Sequence, residues 1–199
     1  MHSIDLQYFG TIGYVKTLID GKELHFDRQH PYSKMSFKNR MVIATAQGPL
    51  HLSIPLIGGR DQKVPIGTIQ IDYHSKWQDH HFKAIASSYQ RSPFFDYYKD
   101  TLFELYQQKP TLLVDALLLT QAWVKQQLKA NWVITETNPS ISVQRIVDPW
   151  LPKNYQLIPN PIQYNQVFED RTGFLPNLCI LDLLFCTGGK QANQLLMSF

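Results

Sequence analysis

The feature that most constrains this chain is a change of hydrophobic period part-way along it. Leu50, Leu52, Ile54 and Leu56 alternate with His51, Ser53 and Pro55, the period-two pattern of a strand with one face buried. Further on, Trp77, His81, Ile85 and Tyr89 recur every four residues, with Phe82 and Ala86 beside them. That spacing is one face of a helix. Strands that cluster early and helices that cluster late predict an α+β fold: an N-terminal β-rich region followed by a mainly helical C-terminal part.

The remaining punctuation fills in the order of elements. Ile4–Phe9 reads as a strand. Thr11 caps a short helix carrying Ile12, Val15, Leu18 and Ile19, which Gly21 stops. Leu24–Asp27, Met41–Ala46 and the alternating Ile69, Ile71 and Tyr73 read as further strands, and Pro55 marks a strand edge or end. Pro93 ends the Trp77 helix, and Pro110 separates helices over Phe94–Tyr106 and Thr111–Lys129. Trp132 and Ile134 suit a short strand. The proline-dotted stretch 137–163 reads as an irregular connection, and a last helix starts near Leu178 with Asn177 as its N-cap. The early strands lack intervening long helices and a glycine-rich fingerprint, which disfavours a Rossmann-like arrangement. Phe82, Ile85, Leu117, Val124, Leu181, Leu184 and Phe185 are the expected core. A length of 199 residues supports one domain over 1–199.

Composition narrows the function classes. With 44% hydrophobic and 18% charged residues, the chain has the make-up of a globular domain. No stretch approaches the ~20 apolar residues that span a bilayer, and no basic segment leads into an apolar one at the start. The expectation is a cytoplasmic protein without a membrane span. A net charge of +3, with no basic recognition helix and no zinc finger, argues against a nucleic-acid partner. Thr187-Gly188-Gly189-Lys190 lacks the spacing of a Walker loop and reads as a helix stop. Cys179 and Cys186, if on a helix, stand roughly 10.5 Å apart, too far for a disulfide or a shared zinc. They read as small core residues, no metal is expected, and no motif names a cofactor.

The charge is unevenly placed. From Arg28 to Arg60 there is no Asp or Glu, while Arg28, Lys34, Lys38, Arg40, Arg60, His30 and His51 fall within the run. Such a run is either a solvated face balanced by acids elsewhere or a field that attracts an anion. Lys34, Asn39 and Arg40 supply the donors that hold phosphate and sugar groups. His81, at the border of the apolar helix stripe, is a candidate general base, and Trp77 on the same ridge is a candidate substrate contact. Gly58-Gly59-Arg60 reads as a hairpin loop.

The motif order Tyr8-Phe9-Gly10, Tyr32-x-Lys34-x-Ser36-x-x-Asn39-Arg40, Leu52-x-Ile54-Pro55, Trp77-x3-His81-x3-Ile85-x3-Tyr89, Tyr164-x-Gln166-Val167-Phe168 and Gly173-Phe174-x-Pro176-Asn177 through Phe185 resembles the bacterial WbqC-like family. The resemblance implies a role in making O-antigen, another surface polysaccharide or a related glycoconjugate. Two departures stand out: His30-Pro31 replaces a usual acidic residue, and Cys179 and Cys186 stand where the family often has Ser and Asn, which weakens any nucleophile role for the thiols. Two functions follow. One is an enzyme that transfers an acyl or aminoacyl group to a nucleotide-linked amino sugar, with Lys34, Asn39 and Arg40 on the phosphates or sugar and His81 taking the amine proton. The other is a non-catalytic binding or scaffold module for an anionic sugar nucleotide, using the same basic surface. The sequence leans slightly to the enzyme and leaves the oligomeric state open.

Overall fold

The computed structural model describes residues 2–59, 61–137, 144–146, 149–159 and 162–198. The fold is mixed α+β, and it differs from the sequence reading in where its sheet comes from. Strands β1 (His2–Ser3), β2 (Glu23–Phe26), β5 (Val133–Glu136) and β6 (Gln144–Arg145) form one sheet in the order β5-β2-β1-β6. Every pairing in it is parallel. Parallel neighbours need a crossover, and helix α1 (Ile12–Gly21) supplies the one between β1 and β2. The β-rich part is therefore not confined to the N-terminal region: two of its strands return after the main helices. β1 and β6 are two residues each, too short to show any period.

The period-two segment forms a separate antiparallel hairpin of β3 (Arg40–Thr45) and β4 (Gly48–Ser53). Its register runs from Arg40 opposite Ser53 to Thr45 opposite Gly48. The four-residue ridge is helix α2 (Trp77–Tyr89), which buries Trp77, His81, Ile85, Ser88 and Tyr89. Helices α3 (Phe95–Gln107) and α4 (Leu113–Leu128) follow, within a residue or two of their expected ends. After the single turn α5 (Glu169–Thr172) comes α6 (Ile180–Thr187), in which Ile180 through Phe185 are all buried. An apolar helix covered on every side is the centre of the core. Ile85, Leu117, Val124, Leu181, Leu184 and Phe185 are buried as expected. Phe82 is half-buried, packed on Phe103 with ring centroids 5.1 Å apart.

Local readings fail where tertiary bonds replace ladder bonds. Thr11 caps α1 as read, its hydroxyl accepting from the Tyr14 amide at 3.3 Å. Of the expected strand Ile4–Phe9, only Ile4 N, bonded to His25 O at 2.7 Å, continues the β1 ladder; residues 5–7 leave the sheet and residues 8–9 form a bend, with φ 56° at Phe9 and Tyr8 N bonded to Phe37 O at 2.9 Å. Ile69–Tyr73 makes isolated bridges, Ile71 to Leu56 and Gln70 to Leu112. Asn177 does not cap α6. It has φ 54°, and its amide donates to the carbonyls of Tyr155 (2.8 Å) and Ile158 (3.0 Å). Gly188 stops α6, but α7 (Gly189–Met197) begins at once. A Cβ on Gly189 would strike the Gln127 carbonyl, so α7 seats close to α4 only because that residue is glycine. Among the described residues no helix is long and apolar enough to cross a membrane, and no group of His, Cys, Asp or Glu could hold a metal ion.

Candidate functional site

Most of the basic run is neutralised by acids from distant segments. Arg28 pairs with Asp115 on α4 (3.1 Å) and Glu136 on β5 (2.8 Å). Lys34 pairs with Asp61 at 2.9 Å in an exposed loop. Lys38 is buried, its ammonium 2.9 Å from Asp5 and 3.0 Å from the Ser33 hydroxyl. Asn39 is buried too, and its amide donates to the Ile54 carbonyl at 3.0 Å. Arg60 lies outside the described residues. Arg40 is different. It opens β3, is half-buried, makes no ion pair among the described residues, and carries a buried Nε–H without an acceptor. A donor buried without a partner costs about 1–3 kcal/mol.

The hairpin decides what surrounds Arg40. Ile54 N bonds Asn39 O at 2.7 Å, so Arg40 and Ser53 face each other as a non-hydrogen-bonded pair, the closer kind for side chains. Cross-strand partners share a face. His51, opposite Val42, is the next outward position on β4. His51 and Ser53 are both exposed. Tyr155 packs edge-on against His51, centroids 6.1 Å apart, and against Phe37 at 5.5 Å. Partial desolvation and then the Arg40 charge hold the His51 imidazole below its usual pKa, which places the guanidinium within electrostatic reach of the ring.

His81 and Trp77 sit in an aromatic cluster with Tyr8 and Tyr106. The His81 and Trp77 rings are 5.1 Å apart. His81 is buried, with Nδ1 3.2 Å from the Tyr8 hydroxyl, which lies 2.7 Å from the Tyr106 hydroxyl. The Ser53 backbone carbonyl accepts from the imidazole. Burial pushes the His81 pKa down to about 4, against the opposing effect of Ser53, and the ring is neutral at pH 7. Tyr8, Trp77 and Tyr106 line an apolar pocket of ≈ 30 Å³ together with Phe9, Ile54 and Thr120. That is room for roughly two waters. The Trp77 Nε1–H is buried without an acceptor. The structure thus brings Trp77 and His81 together, pairs Arg40 with Ser53 across the hairpin, and leaves Lys34 and Asn39 tied to other partners.

The chain matches the WbqC-like protein family over residues 7–148. It belongs to that family. No curated protein and no solved structure matches it.

The matched WbqC-like span holds Tyr8, Lys34, Asn39, Arg40, Trp77, His81 and Tyr89, while the family-like stretches around Tyr164 and Asp182 lie beyond it. One knot joins the two. Asp182 on α6 is fully buried and accepts from the hydroxyls of Tyr89 (2.7 Å) and Tyr164 (2.6 Å) and from the Gln166 amide (3.1 Å). Tyr89 in turn accepts from the Ala44 amide at 3.0 Å. Burial raises the Asp182 pKa and outweighs these bonds, which lower it. The WbqC-like chain's cysteines are unpaired, Cys179 buried and Cys186 half-buried. Burial raises both thiol pKa values, opposite to what a nucleophile needs.

Sequence reasoning missed Tyr8 and Tyr106 as partners of His81, and His51 and Ser53 as neighbours of Arg40. Nothing in spacing joins Tyr8 to His81. For the second pair a signal existed: His51 and Ser53 are polar, outward positions of the alternating strand, and the two-residue turn Ala46-Gln47, with Thr45 opposite Gly48, puts Ser53 opposite Arg40.

Proposed function

We propose that this WbqC-like protein binds the phosphate-bearing part of a nucleotide-linked sugar, as a binding module in the assembly of a surface polysaccharide or another glycoconjugate. The observation that carries the reading is Arg40, the described cation of the basic run that tertiary structure leaves without a counter-charge. A guanidinium is suited to this because it offers a planar fork of donors to phosphate oxygens. The reading implies a cytoplasmic location, where its ligand would be met.

One observation favours the enzyme reading, in which His81 deprotonates the amine of an amino sugar during acyl or aminoacyl transfer: the imidazole is neutral at pH 7, as a base must be. Against it, His81 is buried with Nδ1 on the Tyr8 hydroxyl, and a pKa lowered to about 4 makes it a weak base at neutral pH. The two readings separate in one pair of measurements. A UDP-linked amino sugar should raise the melting temperature of the wild type and not of Arg40→Ala. No product should form with a panel of acyl and aminoacyl donors. Turnover that disappears in a folded His81→Ala variant would establish the transferase instead. Equal stabilisation of wild type and Arg40→Ala would remove Arg40 from the site.

A further inference from the structure

We propose that Ser53 and His51 complete the Arg40 site as direct ligands of a diphosphate group that carries two negative charges in all, and that His51 takes up a proton when that group binds. The inference rests on the reading of Arg40 as the anion site and deepens it by naming the remaining ligands and the charge they select.

Three observations meet here. The first is register. Arg40 and Ser53 are direct cross-strand partners, and His51 is the next position along β4 on the same face. Alternate residues on a strand are ~6.8 Å apart. A tetrahedral oxyanion hydrogen-bonded at ~2.8 Å on each side bridges a gap of that order. The Ser53 hydroxyl and the His51 imidazole can thus hold two oxygens of the diphosphate while the Arg40 fork holds others. The second is charge. Neither β3 nor β4 contains an Asp or Glu, so no carboxylate on the hairpin competes for Arg40. The third is the anchoring of His51. Tyr155 stands at 86° to its ring, and Tyr155 is itself wedged at 87° against Phe37. The ring is held at the edge of the face.

The linkage follows from the same geometry. Among the described residues, the charged and titratable groups placed against His51 are Arg40 across the hairpin and the Tyr155 phenol. Arg40 disfavours an imidazolium beside it. A dianion lying between the two reverses that repulsion, because each cation then faces negative charge. Binding therefore raises the His51 pKa and draws in a proton, and affinity rises as pH falls. A singly charged ligand would be neutralised by Arg40 alone and would leave His51 uncharged.

The test is calorimetric titration with inorganic pyrophosphate and, for the pH series, with inorganic sulfate, which stays a dianion from pH 8 to pH 5.5. His51 and Ser53 are exposed, so their variants should keep the fold, and circular dichroism checks that. Expected for pyrophosphate are a loss of at least tenfold in Arg40→Ala and about fivefold in Ser53→Ala. Expected for sulfate is a wild-type affinity that climbs as pH falls, by up to about tenfold per unit, and a flat profile in His51→Gln. If Arg40→Ala abolishes binding but Ser53→Ala and His51→Gln match the wild type at every pH, the Arg40 reading stands and this inference is wrong. If Arg40→Ala binds both anions as the wild type does, or the wild type binds neither, the Arg40 reading itself fails.

Discussion

Asp182 and Arg40 are two charges drawn out of water by the same fold, and they have been treated in opposite ways. The Asp182 carboxylate is wholly enclosed, yet three donors converge on it from α2 and from the segment 164–166. Arg40 lies near the surface with a donor that meets nothing. A buried polar group with every bond made fixes a structure, whereas one left open gains from an incoming partner. The first is how the far end of the chain is bound to the hairpin. The second is where, on the reading proposed above, a ligand would contribute energy that the protein has not already used.

That contrast can be broken most forcefully at Asp182. Alanine there leaves the hydroxyls of Tyr89 and Tyr164 and the Gln166 amide without their acceptor, and the loss should be about 3 kcal/mol, read from the urea midpoint. A change near zero would mean that the knot is incidental to the fold. The raised pKa adds a sign. A carboxyl whose folded pKa exceeds its usual 3.8 contributes stability that is complete below that value and is lost as pH rises through the folded pKa. Asp182→Asn should flatten that part of the profile.

His81 gives the opposite slope. Its pKa falls from 6.5 to about 4 on folding, so its contribution is complete above 6.5 and disappears as pH falls toward 4. Over that interval the wild type should lose up to about 3 kcal/mol, and His81→Gln should lose less. A variant with the unchanged acid limb would show that His81 is protonated in the folded state.

Lys38→Met tests a charge of intermediate kind. Lys38 is almost fully covered while Asp5 is partly exposed, with side-chain exposures of 3% and 17%. Removing the lysine should cost about 2 kcal/mol, less than for a fully enclosed pair because water reaches Asp5. Chemical denaturation measures it, and a loss as large as that of Asp182→Ala would erase the distinction between the two environments.

The smallest effect should come from Arg40. Because it has no ion pair among the described residues, Arg40→Ala should change stability by less than about 0.5 kcal/mol, or raise it, while weakening anion binding. A loss above 2 kcal/mol with binding intact would assign Arg40 to the fold, and the contrast with Asp182 would collapse.

How much of this could be read beforehand depends on the range of the forces involved. The α2 ridge, the β4 alternation, the Thr11 cap and the stop at Gly188 are local, set by side-chain period and backbone conformation within a few residues, and they are legible in the sequence. The charge run was legible as a pattern but not as a site. Arg28, Lys34 and Lys38 differ from Arg40 only in the presence of Asp115, Glu136, Asp61 and Asp5, which arrive from elsewhere in the chain. Asn177 looked like a cap because Asn commonly caps helices. Its amide was instead recruited by the carbonyls of Tyr155 and Ile158.

Neighbours along the chain encode helices α1 to α4 and α6, the strands β3 and β4, most of the expected core residues and the resemblance to the WbqC-like family. Long-range packing settled that the main sheet is parallel, that Tyr8 meets His81, and that Arg40 has no ion pair among the described residues. Those outcomes depend on which distant groups share a few ångströms, and the energy of a charge or a hydrogen bond is settled by that distance and by the water it excludes.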